Sequence, residues 1–131
     1  MTAGTSTGWK RSATRNTEHD PHVAAIAEPP GIPCVRVAEI EIDPAYRRTY
    51  MAALHEEIEI ALRVEPRVLV LHAAPDKVNP ARILIFEMYA DVAAYEAHLA
   101  TPHFKSYKAT TARMVRSLKL TEAFPGALKM R

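Results

Sequence analysis

Two segments of this chain are apolar on both of the faces that a β-strand presents. The segment VLVLHA at residues 68–73 and the segment RILIFEMY at residues 82–89 are joined by PDKVNP at residues 75–80. A stretch rich in Pro, Asp and Asn between two strand-like runs predicts a β-hairpin. An antiparallel sheet with one wet face would alternate apolar and polar side chains, so these strands need cover on both sides.

A strand and a long helix are predicted before this hairpin. The segment VRVAEIEI at residues 35–42 is rich in β-branched residues, and the Asp43-Pro44 pair that follows opens a helix with proline at its first position. Apolar residues then recur every four positions until Glu65-Pro66 ends the helix. The residues of this stripe are Tyr46, Tyr50, Leu54, Ile58 and Leu62. His55, which is surrounded by Glu56, Glu57 and Glu59, is expected to be solvated.

Two shorter helices and a last strand are predicted after the hairpin. Asp91 can cap a helix that runs through Leu99, and Thr101 followed by Pro102 starts another helix that extends to about Arg116. The segment LKLTEAF would then form the last strand. The predicted order β, α, β, β, α, α, β is that of an α+β, ferredoxin-like split βαβ fold with an antiparallel sheet.

Three helices can cover only one face of such a sheet. Because nothing else in the sequence can cover the second face, that face is expected to pack against the same face of a second copy. The sequence therefore predicts a two-fold homodimer.

The composition changes near Pro33 and divides the chain into two parts. Residues 1–33 are rich in Ser, Thr, Gly and Pro and are predicted to form a flexible N-terminal arm, whereas residues 34–131 are predicted to form one folded domain. His19, Asp20 and His22 lie in the arm without a third rigid ligand, so no metal site is predicted.

Charge and cysteine content exclude several classes of protein. The chain has 17 basic and 15 acidic side chains, a balance that predicts neither nucleic acid nor a membrane surface as a partner. No run of about 18 apolar residues predicts a membrane span. The single cysteine, Cys34, cannot form an internal disulfide, and no Cys/His spacing of the zinc type occurs. A soluble, cytoplasmic protein is expected.

Five segments together resemble a known family. EIEIDP, EPRVLVL, DKVNPARILIFEMYAD, AAYEAHLATPHFKSYK and MVRSL, in this order and spacing, are similar to the antibiotic biosynthesis monooxygenase (ABM) domain in its small quinol monooxygenase branch. The similarity covers nearly everything from Val35 to Glu122, and its most specific part combines FExY on a strand with AHLxTPHF across a helix break. It implies a dimeric α+β barrel with a pocket in each protomer between the helices and the sheet.

The resemblance also implies an activity, which is the oxygenation of a phenolic or quinol-type aromatic by molecular oxygen without metal or flavin. Oxygen is a triplet, and an electron-rich substrate anion overcomes the spin barrier by giving up one electron. The protein then has to remove a phenolic proton, keep the anion in a dry pocket and stabilise the charge that develops on oxygen.

His98 and His103, on either side of the helix break, are the predicted catalytic residues. A histidine has an ordinary pKa of about 6.5 and can accept a proton near neutral pH. His103 lies in the first turn of its helix, where a cation is disfavoured, so its neutral form is expected. The alternative interpretation is that both rings hydrogen-bond the orphan backbone groups of the two helix ends.

Further polar and aromatic side chains are predicted to converge on the same pocket and bind the substrate. They are His72, Glu87, Tyr89, Phe104 and Tyr107. A buried carboxylate needs a partner, so Glu87 is expected to orient a histidine or to pair with Arg36 or Arg82. Glu87 and Tyr89 are equally interpretable as a structural hydrogen-bond network.

Two other functions remain open at this point. Haem-degrading relatives of the fold carry a tryptophan at the position of His98 and a histidine ligand at the position of Tyr107, and these differences disfavour haem. A dimeric module that binds a small aromatic molecule without converting it is compatible with every residue discussed above.

Overall fold

The computed structural model describes residues 31–127 and 129–131. The predicted arm lies outside these residues except for its last three positions, and so do His19, Asp20 and His22. The strands are β1 (Cys34–Ile42), β2 (Val68–Pro75), β3 (Arg82–Tyr89) and β4 (Val115–Ala123). The helices are α1 (Arg47–Val64), α2 (Val92–Leu99) and α3 (Pro102–Thr111), and short 3₁₀ turns cover Pro44–Tyr46 and Ala112–Met114.

The four strands form one antiparallel sheet in the order β2-β3-β1-β4. β1 and β2 are joined through α1, and β3 lies between them, which is the split βαβ arrangement. The predicted element order and the ferredoxin-like α+β fold are therefore confirmed.

The helix starts lie where their capping residues predict. The side chain of Asp91 accepts a hydrogen bond from the backbone N–H of Ala94 at 2.8 Å, and that of Thr101 accepts one from Phe104 at 3.2 Å. The end of α3 differs from the prediction, because the helix stops at Thr111 and not near Arg116. The chain enters the sheet at Val115, opposite Ile42, so pairing with β1 ends the helical segment early.

One face of the sheet carries the core and the three helices. Ala38, Ile40, Ile83 and Ile85 of this face pack against Tyr50, Leu54, Phe104 and Tyr107 of the helices. Among the described residues, no helix is both long and apolar enough to cross a membrane.

The second face of the sheet, here called the open face, has none of the three helices on it. Val37, Leu84 and Phe86 lie on this face, because they alternate with the core residues of β1 and β3. Leu84 is 38% exposed and Phe86 is 37% exposed. Among the described residues, an apolar surface at the centre of the sheet is therefore left uncovered.

Candidate functional site

A cavity of about 30 Å³ lies between the helices and the core face of the sheet. Its apolar walls are Leu54, Ile58, Leu71, Ile85, Leu99 and Phe104. Its polar walls are Glu57, Glu87, Tyr89, Tyr95, His98 and Tyr107. The cavity is therefore aromatic and apolar, with a few polar groups from all three helices and β3.

His98, in the last turn of α2, is buried and lines this cavity. Its Nδ1 atom lies 3.0 Å from Oε2 of Glu65, and its Nε2 atom lies 3.8 Å from Oε2 of Glu57. Burial lowers the pKa of His98, although the neighbouring Glu65 acts in the opposite direction. His98 therefore favours the neutral form, which can accept a proton.

His103, in the first turn of α3, lies beside the cavity and is not among its lining residues. Its Nδ1 atom is 2.9 Å from Oε1 of Glu57, and its Nε2 atom is 2.9 Å from Oε2 of Glu65. The second approach does not have hydrogen-bond geometry, so Nε2 is a buried nitrogen without a hydrogen-bond partner in the described structure.

Glu57, Glu65, His98 and His103 together form a closed arrangement that we call the histidine–glutamate quartet. Each glutamate approaches both histidines, and each histidine approaches both glutamates. The ring nitrogens contact carboxylates and not the backbone of the broken helix ends, in contrast to the alternative interpretation of these histidines. Within the described residues, no group of three or more His, Cys, Asp or Glu side chains is placed to hold a metal ion.

Glu57 is the main residue of this site that the sequence did not identify. The sequence named it only as a neighbour of the solvated His55, whereas the structure shows that it is 5% exposed. The buried stripe of α1 consists of Tyr50, Leu54, Glu57 and Ala61. Desolvation raises the pKa of Glu57, and the hydrogen bond from His103 opposes this shift.

A second polar cluster lies on the core face of the sheet and is centred on Glu87. The Tyr89 hydroxyl donates to Oε1 of Glu87 at 2.8 Å, and burial raises the pKa of Glu87 to about 7. Arg36 faces Glu87 across the β1–β3 pair and lowers the carboxyl pKa in opposition to burial. Arg82, the other predicted partner, pairs with Glu39 at 2.7 Å.

Two tyrosines complete the polar lining. The hydroxyl of Tyr107 is 2.5 Å from that of Tyr50, and burial raises the pKa of both groups. The Tyr95 hydroxyl is buried without a hydrogen-bond partner in the described structure, and the Arg36 guanidinium lies 4.1 Å from the centre of its ring. Tyr95 can therefore offer a hydrogen bond to a molecule in the cavity.

The structure brings together most of the predicted site residues. His98, Glu87, Tyr89, Phe104 and Tyr107 line the cavity. His72 does not, because it lies opposite Phe86 in the β2–β3 pair and points to the open face, where it is exposed. This placement corrects the expectation that His72 reaches the pocket.

Comparison with known proteins agrees with this architecture. The family model described as antibiotic biosynthesis monooxygenase matches residues 33–110. A Bacteroides thetaiotaomicron structure, described provisionally as an antibiotic biosynthesis monooxygenase, is 49% identical, with a TM-score of 0.74 over 76% of this chain and 97% of that chain.

More distant structures show the same fold. A Lactobacillus acidophilus protein described provisionally as a monooxygenase is 26% identical, with a TM-score of 0.67 over 77% of this chain and 51% of that chain. A Nitrosomonas europaea structure is 18% identical, with a TM-score of 0.69 over 75% of this chain and 94% of that chain. No curated protein matches the sequence. The family model and the 49% identical structure show that the chain belongs to the antibiotic biosynthesis monooxygenase family.

Proposed function

We propose that this monooxygenase oxidises a small phenolic or quinol-type aromatic with molecular oxygen, in the cytoplasm and without metal or flavin. The observation that carries the proposal is His98, a buried histidine in a mainly apolar cavity, with its pKa lowered by burial. A neutral base in a dry pocket is what removal of a phenolic proton requires. The aromatic walls formed by Tyr89, Tyr95 and Phe104 suit a flat substrate.

The reaction balances for a phenol with an unsubstituted ring carbon conjugated to its hydroxyl. His98 takes the hydroxyl proton, and the phenolate gives one electron to oxygen. The aryloxyl radical and superoxide then combine in a C–O bond at the ring carbon. The peroxide takes a proton, the carbon loses its hydrogen as a proton, and the C–H electrons form a carbonyl as the O–O bond breaks. One oxygen atom stays in the quinone product and the other leaves as water.

The neighbours of His98 suit this role. A hydrogen bond from Nδ1 to Glu65 fixes the tautomer in which Nε2 is the acceptor. The imidazolium formed by proton transfer would lie between the carboxylates of Glu57 and Glu65. The Tyr95 hydroxyl supplies a donor for a substrate oxygen.

The cavity has to enlarge before an aromatic ring can enter. Its volume of about 30 Å³ is far smaller than the roughly 150 Å³ of a cavity that holds benzene. Substrate binding is therefore expected to displace side chains of the walls.

A homodimer formed through the open face is part of the proposal. Leu84 and Phe86 are exposed at the centre of the sheet, and the three helices lie on the opposite side. A two-fold axis would bury the same apolar surface of both copies.

Oxygen uptake with a panel of hydroquinones and dihydroxynaphthalenes tests the activity. We expect wild-type protein to consume oxygen and His98→Ala to lower kcat by about 10²- to 10⁴-fold. His55→Ala, which changes an exposed histidine of α1, is the matched control and should keep the wild-type rate. Equal rates for His98→Ala and wild type would refute the assignment of His98.

Two other outcomes would replace the proposed activity. Binding of these phenols without oxygen uptake would identify a non-catalytic binding module. A Soret band on addition of hemin would identify a haem protein.

A further inference from the structure

The histidine–glutamate quartet connects the cavity to the protein surface. His98 and Glu57 form its inner pair, which lines the cavity, with side chains 4% and 5% exposed. His103 and Glu65 form its outer pair, with side chains 14% and 13% exposed. Every inner–outer contact that joins a histidine to a glutamate is 3.0 Å or shorter at its closest approach.

The outer pair lies between the buried His98 and the solvent. A dry cavity holds no bulk water, so His98 needs another route to exchange protons with solvent. Glu65 contacts both His98 and His103. Glu57 contacts His103 from the cavity side. The hydrogen bonds of His98 with Glu65 and of His103 with Glu57 form two separate pairs, and His103 Nε2 approaches Glu65 at 2.9 Å between them. A small rotation that gives this approach hydrogen-bond geometry would complete a chain along which carboxylates and imidazoles can pass a proton.

The charges of the quartet favour a shared proton. With both glutamates ionised and both histidines neutral, it would hold two negative charges in a largely buried place, and one added proton halves this charge. The charged neighbours that affect the pKa of Glu57 are His103, Glu65 and Glu56. Those that affect the pKa of His98 are Glu65 and His103. From the sheet and the other helices, Glu87, Tyr89, Tyr95 and Tyr107 face the same cavity.

We propose that Glu57, Glu65 and His103 are positioning residues that share one proton with His98 and connect it to solvent. This inference rests on the proposed function for the role of His98 as the base. His103 acts through Glu57 and Glu65 and does not touch the substrate. The carboxylates of Glu57 and Glu65 stabilise His98 after it has accepted the phenolic proton. Passage of that proton through Glu65 and His103 to solvent returns His98 to the neutral form before the next turnover.

An NMR titration of the full chain, labelled at its histidines, tests the shared proton without substrate. In the wild type we expect the ring signals of His98 and His103 to titrate together in two macroscopic steps. Glu65→Gln should lower the pKa of His98 further, because the carboxylate that opposes the effect of burial is lost. The matched control Glu59→Gln changes an exposed glutamate of α1 and should leave both curves in place. Independent titration of the two rings in the wild type would overturn the proposal.

The pH profile of oxygen uptake tests the connection to His98. Glu65→Gln should move the acid limb of kcat/KM to lower pH and reduce kcat about 10- to 100-fold with little change in KM, because the tautomer of His98 is no longer fixed. His103→Gln should reduce kcat while the NMR signal of His98 remains that of a folded protein. If the pH profiles of Glu65→Gln and His103→Gln match the wild type while His98→Ala is inactive, the proposed proton connection is wrong and the proposed function still holds. Coupled titration without oxidation of any phenol would overturn the proposed function alone.

Discussion

At the scale of single residues, Glu87 makes stability depend on pH. Its pKa is raised by burial to about 7, so the folded protein keeps this proton at pH values where the unfolded chain, with an ordinary carboxyl pKa of about 4.5, has lost it. The stability associated with the protonated carboxyl is fully present below pH 4.5 and is lost as the pH rises through 7.

Glu87→Gln should remove this dependence. The amide has no proton to lose and can still accept the hydrogen bond from Tyr89. As the pH rises from 4.5 to 8, the unfolding free energy of the variant relative to the wild type should rise by on the order of 3 kcal/mol. Urea unfolding across this range measures the difference. Glu96→Gln, at an exposed position of α2, is the control, and an equal change in both variants would contradict the prediction.

Lys108 on α3 has the opposite pH dependence. It is buried, and desolvation lowers its pKa to about 7. The unfolded chain binds this proton up to about pH 10.5, so the stability of the folded state rises with pH between 7 and 10.5. Lys108→Met should therefore remove this pH dependence, because the thioether has no proton to lose.

The stability of Lys108→Met relative to the wild type should fall as the pH rises from 7 to 10.5. Thermal unfolding at pH 6, 8 and 10 measures it, with Lys105→Met at an exposed position of the same helix as the control. A constant difference across this range would show that the charge of Lys108 is not the cause.

At the scale of elements, Thr101 fixes the break between α2 and α3. Its hydroxyl accepts from the backbone N–H of Phe104 at 3.2 Å and donates to the carbonyl of His98 at 2.8 Å. One side chain therefore caps α3 and satisfies the end of α2. The same junction determines how far His98 and His103 lie from each other.

Thr101→Ala should cost about 1 kcal/mol of unfolding free energy, because both hydrogen bonds are lost. Thr101→Ser keeps the hydroxyl and should retain most of the stability. Chemical denaturation of the two variants measures the difference. Equal stability of both variants would show that the methyl group of Thr101 matters and its hydroxyl does not.

The order of the elements was predictable because its signals are local. The proline turn of the hairpin and the caps at Asp43, Asp91 and Thr101 act within a few residues of the chain. The end of α3 was less predictable, because it depends on pairing with β1 more than 70 positions away in the sequence, as in the contact of Ser117 with Glu41.

The four-residue stripe on α1 missed the burial of Glu57, although its spacing of seven residues from Tyr50 places it on the buried side. A spacing of four residues turns by about 40° at each step, so Leu62 lies about 120° around the helix from Tyr50. Leu62 is 45% exposed, whereas Glu57, seven residues after Tyr50, stays within about 20° of it. The partner that makes this burial tolerable is His103, which is 46 positions away. A helical pattern alone does not reveal such a distant partner.

The orientation of His72 was equally hidden. A strand that is apolar in both phases does not indicate which face each residue takes. An irregularity between Val68 and Val70 also shifts the phase of β2 against β3. The register then places Leu71 at the cavity and His72 on the open face.

At the scale of the whole molecule, the sheet separates the cavity from the open face. Ile85 and Glu87 of β3 face the cavity, and Phe86 between them faces the other way. The proposed dimer contact and the proposed catalytic site therefore lie on opposite sides of one strand. A change on the open face should alter assembly without altering the lining of the cavity.

Phe86→Lys tests this separation. A lysine at the centre of the contact would have to be buried without a partner, so we expect the dimer to weaken at least about 100-fold, or roughly 2.7 kcal/mol. In sedimentation velocity at micromolar concentration, the wild type should have twice the 14.6 kDa mass of one chain, and the variant should have the mass of one chain. Leu62→Lys places the same charge at an exposed apolar position of α1 and should remain dimeric. The histidine titration of monomeric Phe86→Lys should match that of the wild type, because the quartet lies behind the sheet. A wild type that sediments as one chain, or a variant that stays dimeric, would show that the open face is not the contact.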